Sequence, residues 1–260
     1  LDVRRTAGPG DATELARKLS EDGVDAIVSI GGDGTLFEVV NGLMGVDAPP
    51  PFALMPLGTG NSFGRDFGVI DVDTAMAALQ RAQPRRVDVV RVVHAEGELH
   101  YINLLSVGFA AEVGALTNRR FKPLGALGYV MSVLVQVTRL SSRAFPHEAG
   151  EGLDDGAVTL LSFSNSQCTG GEMRMAPTAD ATDGLVDLVR IGAMGRRRLL
   201  TCFPKLFQGT HIEMEEVTVC KVARVSFPDG PLLDVMLDGE MRPLRLSSLE
   251  VLPGALELLA

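Results

Sequence analysis

The sequence contains few of the residues that build disulfides and thiolate metal sites. Only three of its 260 residues are cysteine, namely Cys168, Cys202 and Cys220. An odd number of widely spaced cysteines fits neither a disulfide framework nor a zinc site, and it is typical of a reducing cytoplasm. The four histidines share no ligand spacing either. We therefore predict no cysteine or histidine metal centre.

Basic charge and long apolar runs are also scarce. The chain has 24 basic and 33 acidic residues, a formal net charge of −9, so we expect no nucleic-acid partner. The longest apolar stretch, residues 124–140, is interrupted by Gln136 and is too short and too polar to span a membrane. No signal peptide is recognised and the first residue is Leu1, so we expect a cytoplasmic chain that lacks its natural start.

The chain is organised around residues 26–42, where an apolar run breaks into glycines and resumes as a helix. Residues 26–30 are short, apolar and rich in β-branched side chains, which predicts a strand buried on both faces of a parallel sheet. The glycines of GGDGT at residues 31–35 let backbone N–H groups approach an anion, and we expect Thr35 to cap the helix that follows. Asp33 would repel phosphate unless it acts through a divalent cation. A tight turn with glycines for packing alone is the alternative.

A second glycine-rich turn, residues 56–68, follows the predicted strand at residues 52–55. Its glycine spacing differs by one residue from the dinucleotide fingerprint, and no P-loop lysine is present. We expect a nucleoside triphosphate to be held by backbone amides together with Thr59 and Asn61. Arg65 is the nearest candidate cation, although a solvated helix charge is an equally good interpretation.

The pattern of predicted elements changes at about residue 88. Before it, we predict a strand at residues 1–6, a helix at 12–22 capped by Asp11 and a helix at 74–81 capped by Asp73. After it, we predict helices at residues 110–140, broken near Pro123, and 196–207, and strands at 87–93, 100–107, 157–164, 185–191, 216–227, 232–237 and 242–252. We therefore predict two domains, an α/β domain at residues 1–88 and a β-rich domain at residues 89–260.

Two acidic turns in the second half are candidates for chemistry. DGLVD at residues 183–187 supplies carboxylate and carbonyl oxygens, which are the ligands that Mg²⁺ accepts. LDGE at residues 237–240 ends a strand, where a carboxylate could accept a proton from a substrate hydroxyl. Each motif, taken alone, is more often an ordinary turn.

Together these motifs resemble the diacylglycerol kinase catalytic-domain family, which includes bacterial lipid kinases, sphingosine kinases and ceramide kinases. The matching stretches occur in the family's order: GGDGT at 31–35 with Asn41 and Gly42, PLGTGN at 56–61 with Arg65, Val87 and Asp88, Asn103 with Gly108 and Phe109, and the turns at 183–187 and 237–240. The family usually opens with a strand and an Asn-Pro-type turn ahead of Leu1, so we expect the N-terminal domain to lack its usual first strand.

The resemblance implies an N-terminal α/β domain similar to the phosphofructokinase nucleotide domain, a C-terminal β-sandwich and an active site in the cleft between them. It also implies an enzyme that uses ATP and Mg²⁺ to phosphorylate a lipid hydroxyl, on a diacylglycerol-like or sphingoid-like substrate. The lipid would be met at a membrane surface by a peripheral protein. A homodimer is left open.

The resemblance assigns a role to each candidate residue. The nucleotide-binding residues are Thr6, Gly31, Gly32, Asp33, Gly34, Thr35, Gly58, Thr59, Gly60, Asn61 and Arg65. Asp183 and the Leu185 carbonyl match a Mg²⁺ site that a water links to Asp33. Asp238 matches the general base toward the lipid hydroxyl.

Two other functions remain open. NAD kinase has a similar glycine loop, but no Asn-Glu dipeptide follows the loop in this chain. A non-catalytic nucleotide- or lipid-binding module is the second alternative. Arginine-rich clusters at residues 119–122 and 196–198 could contact anionic headgroups, and the apolar segments 124–140 and 199–207 could line an acyl groove. Solvated helix ends and helix packing are the ordinary interpretations of these segments.

Overall fold

The structure, a computed structural model, describes residues 2–117, 120, 125–150, 152–228 and 230–260, and gives the backbone alone for residues 125–130. Its N-terminal part alternates helices and strands: α1 Asp11–Glu21, β1 Ile27–Gly31, α2 Asp33–Leu43, β2 Phe52–Pro56, α3 Ser62–Asp66 and α4 Val72–Arg81. Strands β1 and β2 are parallel, with Ile27 opposite Phe52. The turns that follow both strands therefore lie at the same edge of the sheet.

The rest of the chain is dominated by strands. In order they are β3 Pro84–His94, β4 Gly97–Tyr101, β5 Leu104–Gly108, α5 Phe109–Leu116, α6 Gly125–Thr138, β6 Arg143–Ala144, β7 His147–Glu148, β8 Leu153–Asp154, β9 Ala157–Ser164, β10 Cys168–Thr169, β11 Met173–Arg174, β12 Val186–Gly192, α7 Arg196–Gln208, a 3₁₀ helix Thr210–Glu213, β13 Val217–Val222, β14 Arg224–Ser226, β15 Leu232–Leu237 and β16 Glu240–Leu259. None of the helices in the described ranges has the length and apolar character needed to cross a bilayer.

One long strand, β16, connects the two parts. Its first half pairs with β15 in an antiparallel hairpin, and later residues pair with β14 and β3. Near its end, Leu258 lies beside Phe52 of β2 in a parallel arrangement. Strands β13, β12, β9, β5, β15 and β16 follow one another in a single sheet path.

Two large apolar cores lie on either side of this connection. The N-terminal core contains Phe52 and Phe63 and also Leu258 from the end of β16. The C-terminal core contains Tyr101 and Phe163. The buried Tyr101 hydroxyl donates to the Phe163 carbonyl at 3.0 Å, so this aromatic side chain leaves no unsatisfied polar group in the core.

Several local predictions are wrong. Residues 2–6 form no strand, since they are exposed and pair with nothing in the described chain. Helix α2 begins at Asp33 after Gly32, and Thr35 makes no capping hydrogen bond. Helix α4 is capped by Asp71 rather than Asp73, because the extended backbone of Asp71 lets its carboxylate accept the Thr74 N–H at 2.8 Å.

Strand ends were predicted with mixed success. The strands at residues 157–164 and 232–237 have the predicted bounds. Those predicted at 100–107 and 216–227 each divide into two, and the last strand begins two residues earlier and ends seven residues later than predicted.

The predicted burial of the first strand is wrong: Ile30 is 52% exposed, so β1 is not buried on both faces. Pro123 lies outside the described residues, and the domain boundary at residue 88 stays a prediction.

Candidate active site

The two glycine turns are in direct contact. The carbonyl oxygen of Gly31 accepts hydrogen bonds from Leu57 N at 2.9 Å and from Gly58 N at 3.1 Å. A Cβ atom on Gly58 would lie 2.4 Å from the Cα atom of Gly32, which is closer than non-bonded atoms can approach. The contact between the backbones therefore requires glycine. The glycines have a packing role in addition to any role in binding an anion.

Asp33 lies between the two turns at the start of α2. Its carboxylate accepts the Ser62 N–H at 2.8 Å, and a Cβ atom on Gly60 would lie 2.4 Å from its Oδ2. Burial raises the pKa of this carboxyl, and the hydrogen bonds from Ser62 and the charge of Arg65 offset that rise only in part. Burial therefore outweighs the hydrogen bonds and the charge of Arg65 in setting the pKa of Asp33.

Hydrogen bonds made by Asn61 fix the conformation of the second glycine turn. Asn61 has a left-handed backbone with φ 50, its Nδ2 donates to the Gly58 carbonyl at 2.6 Å, and its Oδ1 accepts Gly58 N–H at 3.1 Å. Its side chain therefore shapes the turn, while Thr59 beside it is exposed.

Asp238 occupies the hairpin turn between β15 and β16, and it is only 3% exposed. Its Oδ1 accepts the N–H groups of Asn103 and Leu104, both at 2.9 Å, and its Oδ2 accepts the Ile102 N–H at 3.0 Å. Burial raises the pKa of Asp238 to about 7 against the lowering effect of these three bonds, and the charge of Asp33 adds to the rise. A carboxyl with this pKa can exchange a proton near neutral pH.

The turn that carries Asp238 lies against the start of α2. A Cβ atom on Gly34 would lie 2.9 Å from the Oε1 of Glu240, which follows Asp238 by two residues. The guanidinium carbon of Arg242 lies 5.3 Å from the centroid of the Phe37 ring, within the range of a cation–π contact. The fold therefore brings together two motifs that are about 200 residues apart in the sequence.

A cavity of about 810 Å³ opens beside these turns. Its lining includes Thr6, Gly8, Gly10, Gly34, Thr35, Asn41 and Arg242. The volume suits a nucleotide-sized ligand, and the first residues of α2 present unpaired backbone N–H groups to an anion. Of the predicted nucleotide-binding residues, Thr6, Gly34 and Thr35 line this cavity.

Asp183 lies in a different environment. Its Oδ1 accepts the Leu185 N–H at 2.9 Å, and its Oδ2 is bound by the ammonium group of Lys221. No group of three or more metal-ligating side chains is found in the described part of the chain. A carboxylate that already holds an ammonium group does not fit a Mg²⁺ ligand. The Mg²⁺ assignment at Asp183 and Leu185 stays a prediction, and the lysine counts against it.

Comparison with known protein families decides the identity of this fold. Residues 1–92 match the diacylglycerol kinase catalytic domain, and residues 103–260 match the YegS C-terminal NAD kinase beta sandwich-like domain. The chain belongs to the diacylglycerol kinase catalytic-domain family. It is therefore a kinase, and the predicted fold, an α/β part followed by a β-sandwich part, is confirmed.

Individual relatives in this family agree with the assignment. The protein named "Diacylglycerol kinase" of Mycobacterium tuberculosis strain H37Rv is 29% identical over 254 residues, which cover 96% of this chain and 81% of that protein. The protein named "Probable lipid kinase YegS-like" of Stenotrophomonas maltophilia strain K279a is 30% identical and covers 98% of this chain and 84% of its own length. A diacylglycerol kinase structure from Bacillus anthracis has a TM-score of 0.73 at 19% identity, covers 100% of this chain and 84% of its own, and shows the shared fold.

Some residues that shape the candidate site were not found from the sequence. Glu38 caps α1 from the neighbouring helix by accepting Gly10 N–H at 2.8 Å and Ala12 N–H at 3.0 Å. Asp88, which is 1% exposed, accepts the N–H groups of Gly184 and Gly254, both at 2.7 Å. No local pattern could predict these bonds, because each one joins segments distant in sequence. Val87 and Asp88 are among the residues that resemble the family, but the resemblance assigned no role to them.

The basic clusters have different surroundings. Arg198 is paired with Glu216 at 2.6 Å, whereas Arg196 and Arg197 are exposed at the start of α7. Of the first cluster, Arg119 and Lys122 lie outside the described residues. Leu206 is buried against the sheet and Leu199 against α5 and α6, which favours helix packing over an acyl groove for that segment.

Proposed function

We propose that this protein transfers the γ-phosphate of ATP to a hydroxyl group of a lipid, with Asp238 as the general base. The observation that carries the proposal is the placement of the Asp238 turn against the first glycine loop, beside a nucleotide-sized cavity. A base and a phosphate-binding loop in one place are what a kinase that phosphorylates an alcohol needs. The names of the relatives, diacylglycerol kinase and lipid kinase, support a lipid as the acceptor.

The nucleotide would be held by backbone groups more than by side-chain charge. The N-terminus of α2 offers N–H groups to the phosphates, with the second glycine turn and Arg65 nearby. Asp33 would hold the Mg²⁺ that accompanies ATP, an ion that neutralises charge on the phosphate oxygens. The half-buried position of Asp33 and the raised pKa of its carboxyl are compatible with this role.

The proton transfer follows from how Asp238 is bonded. Its Oδ1 accepts two N–H groups and its Oδ2 accepts one, so Oδ2 keeps a lone pair for the proton of a substrate hydroxyl. As the hydroxyl oxygen forms its bond to the γ-phosphorus, Asp238 takes the proton, the bond to the β-phosphate oxygen breaks, and ADP leaves. The three backbone donors hold the carboxylate in position without using that lone pair.

The protein would bind a membrane surface peripherally and take its lipid substrate from that surface, and it would have no nucleic-acid partner, as expected from the sequence.

The headgroup is best identified by an assay on lipid panels. ADP formation would be measured with ATP, MgCl₂ and vesicles that contain diacylglycerol, sphingosine, ceramide or phosphatidylglycerol, and with NAD as a further acceptor. We expect a phosphorylated lipid product. Phosphorylation of NAD alone, or of no acceptor, would overturn the proposal.

The role of Asp238 is tested by replacing it with asparagine, which tolerates the left-handed backbone at this position. We expect Asp238→Asn to lower turnover by about 10²–10⁴-fold, because the proton acceptor is lost, with ATP binding retained. The matched control is Asp234→Asn on the exposed side of the same strand, which should keep wild-type turnover. Wild-type activity in Asp238→Asn would remove Asp238 from the mechanism.

A further inference from the structure

Lys221 faces the acidic loop at residues 183–187 because of the register of two strands. Strands β12 and β13 are antiparallel, and Asp187 lies directly opposite Lys221. The Asp187 side chain is 1% exposed, whereas those of Asp183 and Lys221 are 27% and 36% exposed. The sheet therefore holds a partly exposed ammonium group directly over a buried carboxylate.

The ammonium group of Lys221 contacts both acids. It forms a hydrogen bond to the Oδ2 of Asp183 and lies 3.5 Å from the Oδ1 of Asp187. That Oδ1 is buried and has no hydrogen bond of its own, while Oδ2 of Asp187 accepts the hydroxyl of Thr178. The lysine is thus the positive charge that pairs with the buried side chain of Asp187, and a buried carboxylate without a partner costs free energy.

These contacts leave little place for a metal ion on Asp183. One of its oxygens accepts the Leu185 N–H and the other holds the lysine. A divalent cation there would lie next to an ammonium group and would be repelled by it. Displacing the lysine would also leave Asp187 without its cation.

We infer that Lys221 is the resident cation of this loop and occupies the place that the family resemblance assigns to Mg²⁺. The loop is then ordered without a metal ion, and Asp183 acts as a positioning residue that orients the loop through Leu185 and Lys221. Asp33 remains the acid that would meet a metal ion, which would arrive with the nucleotide. The lysine would hold the loop whether or not the enzyme phosphorylates a lipid.

The test is thermal unfolding of the full chain without nucleotide, in MgCl₂ and in NaCl at equal ionic strength. For the wild type we expect the same Tm in both salts. Lys221→Met keeps the length of the side chain but removes its charge, so we expect a lower Tm in NaCl and recovery of most of the loss in MgCl₂. Adding Asp183→Asn to Lys221→Met should abolish that recovery. Lys18→Met, at an exposed position of α1, is the control, and it should have the wild-type Tm in both salts.

Two results would overturn the inference. One is stabilisation of the wild type by MgCl₂ that Asp183→Asn abolishes, because Asp183 would then bind the metal in spite of the lysine. The other is a Lys221→Met variant with wild-type Tm in both salts, because the charge of the lysine would then not stabilise the loop. If Lys221→Met does not fold, Lys221→Arg replaces it. Arginine keeps the charge, so its Tm should be insensitive to MgCl₂, and Mg²⁺-dependent stabilisation of this variant would contradict the inference.

Discussion

Asp238 shows how one residue combines a strained backbone, burial and a displaced pKa. Its φ of 48 is in the left-handed region that aspartate and asparagine tolerate better than most residues. In the folded chain burial raises its pKa to about 7, while its ordinary value is 3.8. The folded state therefore binds this proton more tightly than the unfolded state does. The resulting stability is present below pH 3.8 and is lost as the pH rises through about 7.

The same pKa predicts the pH dependence of turnover. Asp238 must be ionised to accept a proton, so kcat/KM for the lipid, which reports the enzyme before the lipid binds, should rise tenfold for each pH unit well below 7 and reach a plateau above it. The measurement is kcat/KM between mildly acidic and mildly alkaline pH at limiting lipid. Residual turnover of Asp238→Asn should lack this rise. A wild-type profile that is flat through pH 7 would contradict the assignment.

Some of the charged residues at the candidate site and at the acidic loop could be predicted from the sequence, and others could not. Asp33 and Asp238 stand in short motifs with glycine neighbours, and their chemistry follows from that local pattern. Lys221 and Glu38 stand in ordinary strand and helix sequence. Their roles depend on cross-strand register and on contact between helices, which no short segment of sequence contains.

At the scale of elements, the paired glycine turns act as one unit. Gly31 and Gly58 are joined by a backbone hydrogen bond, and Gly32 packs on Gly58 without side chains between them. Any side chain at this contact has to separate the strands' ends.

Gly58→Ala tests this contact. The added Cβ would lie 2.4 Å from the Cα of Gly32, so we expect a loss of about 1–3 kcal/mol in unfolding free energy and a loss of ATP-induced stabilisation. Gly195→Ala is the control, since nothing lies within 4 Å of a Cβ atom there and its φ is −77. Denaturant unfolding with and without ATP measures both effects. Unchanged ATP stabilisation in Gly58→Ala would show that the turns need not touch.

The ends of strands and helices could be predicted from the sequence at some positions and not at others. The strand at residues 157–164 was predicted with its observed bounds, because a run of apolar residues is bounded there by Gly156 and Asn165. Helix α4 was assigned the wrong cap, since Asp71 and Asp73 are both good capping residues and only the backbone decides between them.

At the scale of the whole molecule, β16 makes the two parts one body. Leu258 is fully buried in the N-terminal core, whereas Leu244 and Leu246 of the same strand lie in the C-terminal core. A division of the chain by sequence order could not place residues 253–260 beside residues 27–56. That pairing is non-local, and residues 242–252 alone were predicted as the last strand.

We expect the protein to unfold in a single transition for this reason, and Leu258→Ala to destabilise both parts together. Loss of a fully buried leucine should cost about 2–5 kcal/mol. The control is Leu232→Ala, which is 60% exposed and should change stability by less than about 0.5 kcal/mol. Calorimetry and denaturant unfolding followed by two probes measure this. Two separate transitions, with only one shifted by Leu258→Ala, would show that β16 does not couple the parts.

The path of β16 also has a consequence for how the protein is made on the ribosome. Strands β1 and β2 leave the exit tunnel about 200 residues before Leu256 and Leu258, which complete the core beneath them. We expect the N-terminal part to wait, incompletely folded, for most of the time of synthesis. A nascent chain could then neither bind ATP nor consume it until its last strand was free to fold.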